Sequence, residues 1–187
     1  MSHQHALTVG SNGGILRVLK SEVGVSFPFL GDLGVQKDIV IKKYKGVWDT
    51  GASGTVITKE VVENLGLKPT GQTYVYTAKG KVMTNTYLVN IYLPMNVVIQ
   101  GVNVTEGDLM PDTNLLIGMD IITMGDFCIT HKDGKTKMTF GLPPMESYDY
   151  AERINTRNKI QIEKQLCRCG SGKKYKYCHG KNVKTQK

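Results

Sequence analysis

No apolar run in this chain of 187 residues approaches the roughly 20 that a helix needs to span a bilayer. The opening Met1-Ser2-His3-Gln4-His5 also lacks the basic and apolar regions of a secretory leader. A soluble, unexported protein without membrane contact is expected. Cysteine is scarce, with four in all and three of them beyond residue 166. Without an export signal disulfides are disfavoured, and a reducing cytoplasm is the expected compartment. The remaining cysteine, Cys128, sits in the apolar run Phe127-Cys128-Ile129-Thr130 and reads as a small buried hydrophobe. Acidic residues all but vanish from the C-terminal part, where positions 151–187 hold 2 acids against 11 Lys and Arg, while positions 1–150 hold 14 against 13. The net charge of +8 therefore belongs to the tail. That asymmetry, with the Pro143-Pro144 pair ending a strand-like Lys137-Met138-Thr139-Phe140, predicts a body over 1–144, a linker over 145–165 and a separate tail over 166–187.

The body reads mainly as strands. Ile15–Leu19, Val23–Phe27, Ile39–Ile41, Tyr74–Thr77, Tyr87–Tyr92, Val97–Ile99 and Phe127–Thr130 are rich in β-branched or aromatic residues, often in alternation. Two short helices are expected, one over Lys59–Leu65 capped by Thr58 and stopped at Gly66, the other opening at Asp120 and stopping at Gly125. Short strands separated by turn signals suggest a closed barrel. In the linker, Tyr150–Leu166 is compatible with a third helix.

Within this pattern, Trp48-Asp49-Thr50-Gly51-Ala52-Ser53 places a lone carboxylate between the end of an apolar strand and a glycine turn. Later, Leu115-Leu116-Ile117-Gly118-Met119-Asp120 runs a short apolar strand into glycine and then into the second helix, with the two glycines 67 positions apart. The pair resembles the retropepsin-like aspartic proteases over roughly residues 14 to 141. The resemblance implies a closed acid-protease barrel with short helices, with Asp49 as the catalytic residue. Thr50, Gly51, Ile117 and Gly118 would support the active site, and the hairpin tip Thr77-Ala78-Lys79-Gly80 would act as a flap folding over bound peptide. Asp120 reads as a capping or surface residue.

Acid-protease chemistry needs two carboxylates about 3 Å apart sharing a proton, because like charges that close do not both ionise cheaply. A second Asp-Thr-Gly is missing: Asp112-Thr113-Asn114 has the wrong third residue, and Asp32-Leu33-Gly34 lacks the hydroxyl. A homodimer follows, in which a two-fold axis brings Asp49 of each copy together to cleave protein or peptide substrates with no cofactor for catalysis. The competing reading is a peptide-binding adaptor with little or no proteolysis.

In the tail, Cys167-x-Cys169, eight residues and then Cys178-His179 supply four ligands of the kind that close a tetrahedral zinc site. With Gly170-Ser171-Gly172-Lys173-Lys174-Tyr175-Lys176 between them, they resemble the SEC-C motif. That resemblance implies a structural Zn2+ in a small knuckle, a bacterial source and recruitment of partners. A protein surface, or ribosome and nucleic-acid phosphates, are the partners open to a basic tail.

Overall fold

The computed structural model describes residues 4–29, 39–77 and 80–181. The chain divides into two compact units, Met1–Met145 and Glu146–Lys187. The first unit is mainly β and holds two sheets. The smaller is antiparallel, in the order β1 (His5–Gly10), β10 (Lys137–Leu142), β9 (Asp126–Thr130). The larger runs β2 (Lys20–Ser26), β3 (Lys42–Trp48), β8 (Leu115–Ile117), β4 (Val56–Ile57), β7 (Val97–Glu106), β6 (Gly80–Leu93), β5 (Gly71–Thr77). Strand β6 also pairs with β2 through Gly24↔Tyr92, Val25↔Ile91 and Ser26↔Asn90, so the order of pairing returns to its first strand.

Apolar side chains from both sides of this ladder meet in one core. Val25, Ile57, Val89, Ile91, Leu115 and Ile117 are fully buried in it, and each such side chain contributes about 1.5–3 kcal/mol relative to exposure. Helix α1 (Lys59–Leu65) adds Val61 and Leu65 to that core, and α2 (Met119–Ile122) adds Ile121 and Ile122. Helix α1 ends where expected, with Gly66 in the left-handed region at φ 62° and its N–H bonded to the Glu63 carbonyl. Thr58 occupies the N-cap position, but its hydroxyl makes no cap bond and is buried without a partner among the described residues.

Two strand expectations fail. Ile15–Leu19 is a loop, entered through Gly14 at φ 84° and pinned where the Leu16 N–H donates to the Thr136 hydroxyl at 2.8 Å. Its Ile15 and Val18 are exposed, so β propensity had no buried face to act on. Ile39–Ile41 likewise precedes β3 instead of belonging to it. Conversely, His5–Gly10, whose alternation is weak, becomes a strand because β10 offers it a ladder. Cys128, expected to be buried, is exposed: along β9 its side chain points to the face opposite that of Phe127, which packs on Trp48.

The second unit opens with α3 (Tyr150–Lys164), capped by Asp149, whose carboxylate accepts from the Glu152 N–H at 3.0 Å. None of its residues is buried. A knuckle over residues 166–181 follows, joined to the helix end where the Tyr175 N–H donates to the Gln165 carbonyl at 2.8 Å and Leu166 bridges Lys174.

Candidate active site and metal centre

Asp49 stands one residue past the end of β3. Its N–H donates to the Ile117 carbonyl of neighbouring β8 at 3.0 Å, which fixes where the strand releases the chain. The chain then folds back on itself, with the Gly51 N–H donating to Asp49 Oδ1 at 2.8 Å and the Ala52 N–H to the Asp49 carbonyl at 3.3 Å. Gly51 does not need a left-handed backbone here. A Cβ at that position would come within 3.2 Å of Asp49 Oδ1, so glycine keeps room beside the carboxylate.

The loop is tied to the second motif by five further hydrogen bonds. The Met119 N–H donates to the Ala52 carbonyl at 2.8 Å and the Asp120 N–H to the Ser53 carbonyl at 3.2 Å. Asp120, expected to be a cap or surface residue, is exposed in the first turn of α2 and in addition accepts from both the Thr55 N–H, at 3.0 Å, and the Thr55 hydroxyl, at 2.8 Å. The Thr55 oxygen in turn accepts from the Gly118 N–H at 3.2 Å. A charged acceptor strengthens such bonds, so Asp120 and Thr55 clamp residues 49–55 against β8 and α2. Sequence reasoning missed both residues, and also Gly54. Their only sequence signal is a threonine four places after Gly51 and an acid two places after Gly118, and nothing in a linear reading links positions 65 apart.

Gly118 is required by this clamp. A Cβ there would lie 2.5 Å from both the carbonyl carbon and the carbonyl oxygen of Gly54. Backbone is not able to step aside as a flexible side chain can, so Gly118→Ala should destabilise the first unit by about 2–3 kcal/mol. That corresponds to a melting temperature lowered by roughly 5–10 °C. Thermal unfolding followed by circular dichroism checks it, and an unchanged midpoint would mean that the two strands part without cost.

Asp49 is half-buried, and Thr50 and Gly51 are exposed. The carboxylate faces a cleft of about 380 Å³, which Trp48, Thr50, Leu109, Met110, Phe127 and Ile129 also line. Trp48 belongs to the core and the cleft together. It is 5% exposed, stacks on Phe127 with ring centroids 5.7 Å apart, and donates from its indole N–H to Ser21 Oγ at 2.9 Å. A second cleft of about 530 Å³ lies under the β5–β6 hairpin, lined by Val75, Thr77, Val82 and Thr84 on one side and by Lys59 and Asp108 on the other. Asp108 lines both clefts. The hairpin expected from the sequence is formed, with Thr77 paired to Gly80, while Ala78 and Lys79 at its tip lie outside the described residues.

In the second unit, Cys167, Cys169, Cys178 and His179 bring one ligand atom each to within 4.8 Å of one another. Cys167 Sγ is 3.2 Å from His179 Nδ1, and Cys169 Sγ is 3.5 Å from Cys178 Sγ. A zinc tetrahedron with Zn–S of about 2.3 Å and Zn–N of about 2.0–2.1 Å has edges of about 3.6–3.8 Å, so the donor set fits zinc in number, type and spacing. Left-handed turns at Gly170 and Gly172, and the Cys167 N–H donating to the Lys173 carbonyl at 2.7 Å, fold the two ligand pairs together. Backbone N–H groups of Cys169 and His179 aimed at its sulfur draw the Cys167 thiol down to about 7, toward the thiolate that a metal requires.

Comparisons with known proteins agree with both parts of this geometry. Residues 37–124 match the family model of the gag-polyprotein putative aspartyl proteases. Residues 164–181 match the SEC-C motif. The body is thus similar to the retropepsin-like aspartic proteases and the tail carries a SEC-C motif, as the motifs in the sequence indicated. Among solved structures, a retropepsin-like aspartic protease from Rickettsia conorii is 18% identical, with a TM-score of 0.43, covering 75% of this chain and 97% of that one. The retroviral protease-like domain of Ddi1 from Leishmania major is 16% identical, with a TM-score of 0.34, covering 57% and 78%. No curated protein matches the chain. Among the described residues, no helix is long and apolar enough to cross a membrane.

Proposed function

We propose that the first unit is an aspartic endopeptidase, a closed barrel active as a homodimer, in which Asp49 of each copy forms the catalytic pair. The observation that carries this reading is the setting of the Asp49 carboxylate: rigidly held at a strand end, half-buried beside an open cleft, in a loop whose Thr50 and Gly51 face solvent. A single copy offers one such carboxylate from one Asp-Thr-Gly, and two-fold symmetry supplies the other.

In the pair, the ionised Asp49 takes a proton from water while the protonated one hydrogen-bonds the scissile carbonyl, and the two titrate as a unit. Thr50 braces the paired loops and Ile117-Gly118 supports them from beneath. The β5–β6 hairpin, with its tip at Thr77, Ala78, Lys79 and Gly80, covers an extended peptide and holds it by main-chain hydrogen bonds. The second unit binds structural Zn2+ through Cys167, Cys169, Cys178 and His179 and recruits substrates or partners. Four protein ligands leave the metal no open position, so zinc would organise the knuckle and take no part in hydrolysis.

Dimer dependence is tested by dilution. Cleavage of a peptide library, read by mass spectrometry, should lose specific activity in proportion to concentration once the protein is diluted below its dimer dissociation constant. Excess Asp49→Asn protein should suppress the wild type by forming mixed dimers. Full specific activity from a species that sediments as a monomer would overturn the proposal.

A further inference from the structure

The second unit carries a feature that neither hydrolysis nor zinc binding uses. Helix α3 is 15 residues long with no buried position, and three of its four cations share one face, with Lys159 apart from them. At 3.6 residues per turn, Arg153, Arg157 and Lys164 fall within an arc of about 40° and extend along roughly 16 Å of the helix axis. Both acids of the helix, Glu152 and Glu163, lie about 80–100° round from Arg153, which leaves the row with charge of one sign. None of the three bases sits in an ion pair among the described residues, although Arg153 covers the Tyr148 ring at 4.4 Å. Where the helix ends, Lys173 and Lys174 of the knuckle continue the charge, both exposed and held by the backbone bridge from Leu166 to Lys174.

We propose that this row is a docking surface for the phosphate backbone of a single-stranded nucleic acid, read without base specificity. A line of charge fits a linear polyanion, and two of the three bases in the row are arginines, whose planar fork grips phosphate oxygens in pairs. A protein partner fits less well. Grooves that accept a helix, and the centres of protein interfaces, demand several apolar anchors; only Ile160 and Tyr150 flank the row, while the exposed Ile154 and Ile162 lie about 60° or more round the helix from it. The proposal goes beyond the protease reading and does not rest on Asp49.

The test uses full-length, zinc-loaded Asp49→Asn protein and a fluorescein-labelled single-stranded RNA of about 20 nucleotides, with anisotropy read between 0.05 and 0.3 M KCl. Binding should weaken with a log–log slope of about −0.7 for each phosphate neutralised. The triple variant Arg153→Gln, Arg157→Gln, Lys164→Gln should flatten that slope by about 2 and bind about a hundredfold more weakly at 0.1 M salt. Glutamine is a good helix former and the replaced side chains are all exposed. Helical circular dichroism and zinc content should therefore hold, and Arg157→Gln alone should cost about fivefold. The proposal is overturned if the RNA does not bind, if the triple variant binds like the parent, or if poly-glutamate of equal charge competes as well as unlabelled RNA.

Discussion

Asp49→Asn should lower peptide cleavage by about 10³–10⁴-fold while leaving the fold and the dimer intact. Positioned acid–base groups of this kind contribute on the order of 10²–10⁴ each, and in a symmetric pair one substitution removes both the base and its protonated partner. Asparagine keeps the shape of the side chain, and its amide oxygen remains able to accept the Gly51 N–H that Asp49 Oδ1 accepts at 2.8 Å. The loop is also held from elsewhere, by the bond from the Asp49 N–H to the Ile117 carbonyl and by the Thr55–Asp120 clamp. Loss of cleavage should therefore come without loss of melting temperature. Products formed equally by wild type and Asp49→Asn would remove Asp49 from the chemistry and return the body to the adaptor reading. A collapsed melting transition would instead assign the carboxylate a folding role.

Removing zinc should cost the second unit its structure and leave the first unit unaffected. Among the described residues from 146 onward, Cys167 alone is buried, so there is no apolar core to substitute for a metal. An isolated helix of about 15 residues is marginal in water. Helix α3 is tied down at its C-terminal end by the Tyr175 N–H bond to Gln165, which depends on the knuckle being folded. For closed zinc sites the free energy of metal binding is itself folding free energy. Because α3 holds 15 of the 26 α-helical residues described, chelation or Cys178→Ser should roughly halve the helical circular dichroism signal. The melting transition of the body should stay in place. A metal-free protein that keeps its full helical signal would show that α3 stands without the knuckle.

Local chemistry was legible in the sequence where neighbours in the chain are also neighbours in space. The cluster of Cys167, Cys169, Cys178 and His179 is such a case, as both pairs lie within 13 residues and glycine turns bring them together. So are the stop of α1 at Gly66 and the hairpin that pairs Tyr74–Thr77 with the start of β6. Misses arose where the outcome depended on a distant partner. His5–Gly10 is a strand because β10, some 130 residues later, pairs with it, and Ile15–Leu19 is not one because nothing does. Cys128 is exposed because it lies on the face of β9 opposite Phe127, and which face packs is decided by the neighbouring elements and not by composition.

By itself, the sequence determined the likeness of the body to the retropepsin-like aspartic proteases through Asp49-Thr50-Gly51 and Ile117-Gly118, the Cys/His set of the SEC-C motif, and the division between a near-neutral body and a basic tail. These are statements about residue identity and short spacing, which chain order preserves. Only the tertiary structure decided that Asp120 and Thr55 hold the Asp49 loop, that Gly118 is glycine because Gly54 lies against it, and that Trp48 serves core and cleft at once. Each depends on which strands become neighbours. That is set by burying the apolar faces of the whole ladder together, a collective free energy that no single segment carries in its own pattern.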